Sequence, residues 1–291
     1  MKHSLKITVI LLIFFLLAQF IGIAVLYKYI DQEKSTAEGK MFKDLPFGER
    51  PELEEETSFI SVIISILIGT GIALLLLRYE LFWILRIWFL FAIVVSLTVA
   101  IAAFLPGIIS FVIALGIGLW KIFKPNFWIQ NATELFMYGG LAAIFVPVFN
   151  LFSVSILLVL IAIYDAYAVW KSKHMITLAT AQAKAKMFSG LLIPYALPKK
   201  GEGITESVLP SQKVPQKVRT AVLGGGDIAF PLIFAGVILK EFGVWQSLLI
   251  PFCAALGLGL LLWFSKEKKF YPAMPFIGAG CFLGLGIILL F

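Results

Sequence analysis

Nine long apolar stretches, separated by short polar connections, restrict this chain to a membrane. The hydrocarbon core of a bilayer is about 30 Å thick and needs roughly 20 apolar residues for one helical crossing. With 60% hydrophobic and 14% charged residues, the 291-residue chain is too apolar for a soluble domain. The charge-poor stretches cover residues 7–27, 59–77, 81–102, 103–120, 132–149, 151–170, 221–239, 244–264 and 270–291. We therefore predict an all-α membrane protein with nine transmembrane helices.

Two interruptions organise the nine spans. The third and fourth stretches form one apolar run that Pro106 and Gly107 break in the middle, because proline cannot continue a regular helix. A long polar segment at residues 171–220 separates six spans from three. We predict spans one to six in residues 1–170, a cytoplasmic linker in residues 171–220, and spans seven to nine in residues 221–291.

The basic residues predict the orientation of the chain. With the N-terminus in the cytoplasm, 17 Lys and Arg residues fall on the cytoplasmic side, including Lys121, and six fall outside. Basic residues accumulate in cytoplasmic loops, so we predict a cytoplasmic N-terminus and an extracytoplasmic C-terminus. The first apolar stretch is long and lacks a clean cleavage site, so we expect a retained helix rather than a signal peptide.

Two aspartates, Asp165 and Asp227, lie inside predicted spans with apolar sequence on both sides. A charged residue at the bilayer centre costs about 2.5 to 3.5 kcal/mol, so such residues are candidates for function. If both segments are helical, Asp165 lies roughly 9 Å from Lys171 and Asp227 roughly 12 Å from Arg219, which places both in the cytoplasmic third. Glu80 and Glu134 lie near span ends, and we expect both side chains to reach the membrane interface.

A close pair of carboxyl groups supplies acid and base together, because the two groups do not both ionise readily and share one proton. In aspartyl proteolysis the ionised partner deprotonates a water while the protonated partner polarises the scissile carbonyl, and the roles then exchange. Asp165 and Asp227 are therefore the predicted catalytic pair, and this chemistry needs neither a metal nor a cofactor.

Irregular backbone is predicted beside the aspartates. Three glycines, Gly224 to Gly226, precede Asp227, and Pro231 leaves the Asp227 carbonyl without its helical partner. The segment Pro272-Ala273-Met274-Pro275 enters the ninth span at a similar predicted depth. Irregular backbone persists at membrane depth only where it is buried in protein or lines a hydrated cavity, so spans seven and nine are expected to border the site and to offer backbone groups to an unwound substrate.

These residues resemble the presenilin and signal-peptide-peptidase family of intramembrane aspartyl proteases. Tyr164-Asp165 is similar to the family's YD motif, the glycines before Asp227 to its GxGD motif, and Pro272-Ala273-Met274 to its PAL motif, with methionine in place of leucine. The three motifs fall in the family's order on spans six, seven and nine. Together they carry far more weight than any one of them.

The resemblance implies a presenilin-like fold in which Asp165 and Asp227 are catalytic. It assigns shaping of the active site to Tyr164, Gly224 and Gly226, and substrate binding to Pro272, Ala273 and Met274. The cytoplasmic N-terminus is the presenilin-like orientation, which implies single-span substrates with extracytoplasmic N-termini. The short linker favours a microbial homologue in the plasma membrane and leaves open whether the linker is cleaved autocatalytically.

Rival functions fit the sequence less well. His3 and His174 lie in polar flanks, which disfavours a membrane serine protease, and no HExxH sequence supports a zinc protease. Prepilin-type peptidases also carry a GxGD sequence, but their first aspartate is expected in a loop. A proton-coupled transporter remains the alternative from another class, because embedded acids and broken helices also mark transport pathways.

The expected partners follow from the same features. Basic residues lie beside apolar spans rather than on one soluble face, so no nucleic acid is expected despite the net charge of +7. Cys253 and Cys281 both fall within spans and provide no thiolate metal cage. We expect the lipid bilayer and single-span membrane proteins as partners. A homo-oligomer is compatible with the sequence, and no motif indicates docking of an accessory subunit.

Overall fold

The helices of the protein follow the predicted spans closely. A computed structural model describes residues 5–36, 39–48, 55–172, 189–194, 220–265 and 271–290, and these contain nine α-helices. The helices are α1 (Leu5–Tyr29), α2 (Ser58–Arg78), α3 (Phe82–Ala102), α4 (Gly107–Phe123), α5 (Phe127–Phe145), α6 (Leu151–Tyr167), α7 (Gly225–Glu241), α8 (Val244–Phe264) and α9 (Met274–Leu290). A 3₁₀ turn, Val146–Val148, follows α5, and a π-helical turn, Ala168–Ser172, follows α6. The mostly helical membrane architecture is therefore confirmed.

Six of these helical segments are long and apolar enough to cross a bilayer, among them α1, α2, α3 and α8. The other two are α5 and α6 together with their short helical extensions. The helices α4, α7 and α9 have 17 residues each, which corresponds to about 25 Å. For these three helices the count of nine complete spans stays a prediction.

Helix α7 occupies the centre of the bundle. It packs against α1, α5, α6, α8 and α9, and its side chains are buried at almost every position from Ile228 to Leu239. Protein rather than lipid therefore surrounds most of this helix. This explains how a helix with Asp227 near its start and Pro231 inside it is accommodated.

Helices α8 and α9 form a close hairpin that depends on glycine. A Cβ atom at Gly257 would lie 2.2 Å from the carbonyl oxygen of Phe276, and one at Gly280 would lie 2.3 Å from that of Cys253. Small residues allow such backbone contact between membrane helices. The contact fixes α9, and with it the Pro272 to Met274 segment at its start.

Two antiparallel hairpins complete the described structure. Strands β1 (Ile30–Thr36) and β2 (Gly39–Phe42) pair in the connection after α1. Strand β3 (Gly190–Pro194) lies within the predicted linker and pairs with β4 (Thr220–Gly224). Most of the linker, residues 173–188 and 195–219, lies outside the described residues.

The start of the predicted seventh span is extended rather than helical. Residues 221–224 belong to β4, and α7 begins only at Gly225. Thr220 and Val222 favour strands through their branched side chains, and glycine has a low helix propensity, so the chain enters the bundle as a strand. The helical distance assumed between Arg219 and Asp227 is therefore wrong, because residues 220–224 are extended.

Candidate active site

Asp227 occupies the third position of α7. Gly224 is the N-cap residue of this helix, and its backbone N–H donates a hydrogen bond to the Asp227 carboxylate. An acidic side chain at this position satisfies a free N–H group and interacts favourably with the helix dipole. A Cβ atom at Gly224 would lie 3.2 Å from Oδ2 of Asp227, so glycine keeps this approach open.

Asp165 lies near the C-terminal end of α6 and contacts the start of α9. The backbone N–H of Met274 donates to Oδ2 of Asp165 at 3.0 Å, and the N–H of Ala273 donates to the same carboxylate. Both groups belong to the unpaired N–H groups at the beginning of a helix, which bind anions readily. The PAL-like segment therefore holds Asp165 through its backbone.

The two aspartates lie on α6 and α7, which pack against each other. Their carboxyl groups are close enough to interact electrostatically, and both side chains are only partly buried. The predicted pair is thus brought together on the described structure. Partial exposure leaves room for the water and the peptide bond that hydrolysis requires.

The remaining predicted residues surround this pair with different roles. Tyr164 is 52% exposed on α6. At Gly226 a Cβ atom would be in ordinary contact with the Phe230 ring, at 3.5 Å, so no clash requires glycine there. Pro272 is buried and Ala273 is partly buried beside Asp165. The ninth helix begins at Met274 rather than at residue 270, because Pro272 and Pro275 prevent an earlier regular turn.

A side chain of α1 also reaches the backbone beside Asp227. Gln19 is fully buried, and its Nε2 donates to the carbonyl oxygen of Ile228 at 2.9 Å. Pro231 removes the helical partner of the Asp227 carbonyl, which neighbours Ile228, so this hydrogen bond adds a fixed contact between α1 and the turn that contains the proline. This contact was not predicted, because Gln19 lies in an otherwise apolar stretch and its partner is distant in the chain.

Glu134 is buried, contrary to the expectation that it reaches the membrane interface. Its exposure is 0%, and its Oε1 lies 2.5 Å from Nζ of Lys121. Helix α5 begins at Phe127, five residues before the predicted span, so Glu134 lies two turns inside the helix. Lys121, counted above as a cytoplasmic residue, is 3% exposed and belongs to the same buried pair.

The surroundings of Gly225 were also not predicted. A Cβ atom there would lie 2.6 Å from the hydroxyl oxygen of Tyr138 and 2.8 Å from Oγ of Ser189. Tyr138 in turn interacts electrostatically with Asp227. A tyrosine in a predicted span was the only available signal, and such residues are also common as packing groups.

Side chains suited to a metal do not assemble in the part of the chain that the structure describes. There, no group of three or more His, Cys, Asp or Glu side chains could hold a metal ion. The absence of a resident metal or cofactor stays a prediction.

Comparisons with known proteins identify the family. A sequence model described as "Signal-peptide peptidase, presenilin aspartyl protease" matches residues 43–291. A comparison with curated protein sequences finds no significant match. Two solved structures of a presenilin family intramembrane aspartate protease, in the C222 and P2 space groups, are similar. The first is 17% identical with a TM-score of 0.61 and covers 97% of this chain and 99% of its own.

The second solved structure is 20% identical with a TM-score of 0.59 and covers 96% of each chain. These likenesses show the presenilin-type fold. The family match shows the activity, and the transporter alternative receives no support. The chain belongs to the signal-peptide peptidase and presenilin family and is an intramembrane aspartyl protease.

Proposed function

We propose that Asp165 and Asp227 are the catalytic pair of this protease. The observation that carries the proposal is that two carboxyl groups on packed helices lie within electrostatic range of each other and each accept backbone hydrogen bonds at a helix start. Asp227 accepts from the N–H of Gly224, and Asp165 accepts from those of Ala273 and Met274. Two separate elements, the Gly224 turn and the Ala273-Met274 segment, hold the two side chains. Such fixed geometry is what general acid–base catalysis demands.

The mechanism uses one shared proton. The ionised aspartate removes a proton from a water as the water oxygen attacks the scissile carbonyl carbon, while the protonated aspartate donates to the carbonyl oxygen. The resulting gem-diol collapses when one carboxylate takes back a hydroxyl proton and the other aspartate protonates the leaving amine. Both aspartates then regain the single shared proton.

The substrate is a membrane-spanning segment that must be locally extended. Among the described residues, β4 pairs only with β3, so its second edge offers N–H and C=O groups. A peptide added along this edge would run beside Gly224 and toward Asp227. Gly224 and Gly226 keep this path free of side chains, and Pro272, Ala273 and Met274 border it from α9. Tyr164 shapes the α6 side of the site.

The topology completes the proposal. With a cytoplasmic N-terminus and an extracytoplasmic C-terminus, both aspartates lie toward the cytoplasmic side of the membrane. Asp165 belongs to the first group of spans, residues 1–170, and Asp227 to the second, residues 221–291, with the cytoplasmic linker 171–220 between them. We expect substrates with one span and an extracytoplasmic N-terminus in a microbial plasma membrane. A homo-oligomer is compatible with this arrangement.

The test is cleavage of a single-span substrate by the full chain purified in detergent. Asp165→Ala and Asp227→Ala should each abolish cleavage while gel filtration and thermal midpoint remain close to wild type. Asp44→Asn, at an exposed aspartate in the connection after α1, is the control and should cleave normally. Undiminished cleavage by either active-site variant contradicts the proposal.

A further inference from the structure

A cluster of buried polar side chains lies on α4 and α5, behind the Asp227 turn. We call Lys121, Gln130, Glu134 and Tyr138 the α5 polar cluster; its members on α5 recur every four residues and so share one helix face. Each of the four is at most 5% exposed. Burying an ion pair carries a large desolvation penalty for each ion, so stability alone does not explain such a cluster.

Glu134 is the centre of the α5 polar cluster. Its Oε1 accepts from Lys121 at 2.5 Å and from Nε2 of Gln130 at 3.0 Å. Its Oε2 accepts from the hydroxyl of Tyr138. Both carboxylate oxygens are therefore used, and the Tyr138 ring is fixed in one orientation.

One arm of the cluster reaches the β3–β4 hairpin. Gln130 donates to the carbonyl of Gly190 at 3.1 Å. Its neighbour Asn131 donates to the Leu192 carbonyl at 2.8 Å and accepts from the Leu192 N–H at 2.9 Å. Strand β3 is thus docked on α5, and through the register of Gly190 with Gly224 it holds the end of β4.

The other arm reaches the Asp227 turn directly. The Tyr138 hydroxyl and Ser189, which hydrogen bond to each other, occupy the space beside Gly225 where a side chain would otherwise stand. Gly225 lies between Gly224, whose N–H binds the Asp227 carboxylate, and Gly226. Any shift of Tyr138 therefore changes the space that defines this turn.

We propose that Tyr138, anchored by the Lys121–Glu134 pair, is a positioning residue that fixes the β4–α7 turn and so directs Asp227 toward Asp165. Gly225 is the complementary feature, because only glycine fits against the Tyr138 hydroxyl. The proposal rests on the catalytic role proposed for Asp227. It assigns to α4 and α5, which carry neither aspartate, the role of holding the Asp227 turn in place.

The first test compares two buried tyrosines. Tyr138→Phe removes the anchored hydroxyl, and we expect kcat to fall at least about tenfold with KM within about twofold, because displacement of a catalytic group lowers the rate of the chemical step. Tyr29→Phe is the matched control, since Tyr29 is also buried and donates to the Val99 carbonyl at 2.8 Å on another part of the bundle. It should lose some thermal stability and keep its kcat.

A second route to the same effect guards against misfolding of Tyr138→Phe. The double variant Lys121→Met/Glu134→Leu removes the anchor without leaving an unpaired buried charge, a change that proteins often tolerate. It should show the same fall in kcat, and adding Tyr138→Phe should cause no further fall, because both changes act through one hydroxyl. Fully additive losses would overturn the proposal.

Gly225 provides the rescue experiment. Gly225→Ala should reduce kcat strongly, because the added methyl group would clash with the hydroxyl groups of Tyr138 and Ser189. The triple variant Gly225→Ala/Tyr138→Phe/Ser189→Ala lacks both hydroxyl groups and should be at least about tenfold more active than Gly225→Ala alone. A kcat of Tyr138→Phe equal to that of Tyr29→Phe, with inactive Asp227→Ala, would reject the positioning role and leave the catalytic pair intact. Activity in Asp227→Ala would reject the catalytic pair itself.

Discussion

Glu241, the last residue of α7, accepts a hydrogen bond of 2.7 Å from the backbone N–H of Leu151, the first residue of α6. Asp227 lies 14 residues before Glu241, and Asp165 lies 14 residues after Leu151. In two antiparallel helices with a rise of 1.5 Å per residue, both aspartates therefore lie about 21 Å along the helix axis from this hydrogen bond. The hydrogen bond between α6 and α7 thus aligns the two helices so that Asp165 and Asp227 lie at the same level.

Loss of the Glu241 side chain should disturb both stability and activity. In Glu241→Ala the Leu151 N–H at the start of α6 loses its acceptor, and we expect a loss of about 1 kcal/mol in the free energy of unfolding. The thermal midpoint in detergent and kcat with a single-span substrate are the measurements, and both should fall. Glu241→Gln retains a side-chain carbonyl and should stay close to wild type. Equal behaviour of the alanine and glutamine variants would contradict a role for this hydrogen bond.

The backbone contact of Met274 with Asp165 predicts an unusual effect of proline. Met274→Pro removes the N–H that Asp165 accepts, yet proline is favoured at the first position of a helix, so α9 should still form. We expect kcat to fall at least about tenfold, since a charge-assisted hydrogen bond contributes about 1.5–3 kcal/mol. Met274→Leu keeps the N–H and the side-chain volume and should remain within about twofold of wild type. Normal turnover by Met274→Pro would show that the contact does not support Asp165.

Apolar run length and embedded charge predicted most of this architecture. The helix break at Pro106, the helical segments of six spans and the approach of Asp165 to Asp227 all follow from properties that sequence records directly. The burial of Glu134 does not. Its partner Lys121 lies 13 residues earlier on another helix, and no periodicity within either helix indicates that the two meet.

The β3–β4 hairpin shows a second reason why prediction failed. Residues 221–224 are apolar, and hydropathy cannot distinguish a strand from the first turn of a helix. Residues 221–224 form a strand because they pair with β3, which is itself held by hydrogen bonds from Gln130 and Asn131. These contacts come from distant parts of the chain. The contacts that support Asp227 were therefore harder to predict than the two aspartates themselves.

Transition-state mimicry gives a test that does not alter the protein. Peptide isosteres in which a hydroxyl-bearing carbon replaces the scissile carbonyl should inhibit cleavage, because an enzyme binds structures that resemble its transition state most tightly. The same compounds should raise the thermal midpoint of wild type, since a ligand that binds the native state stabilises it. Asp227→Ala should show no such shift. A shift of equal size in this variant would mean that the compounds bind elsewhere.

Two glycines of α9 should respond in opposite ways to alanine. At Gly280 a Cβ atom would lie 2.3 Å from the Cys253 carbonyl oxygen, whereas at Gly286 nothing lies within 4 Å. Gly280→Ala must push α9 away from α8, and we expect a loss of about 1–3 kcal/mol in the free energy of unfolding. The variant should also lose kcat, because α9 carries the N–H groups that hold Asp165. Gly286→Ala should leave cleavage unchanged and keep or raise the thermal midpoint, since alanine favours helix by about 1 kcal/mol. Parallel thermal melts and cleavage assays distinguish the two variants, and a neutral Gly280→Ala would contradict close packing of α8 and α9 as the support for Asp165.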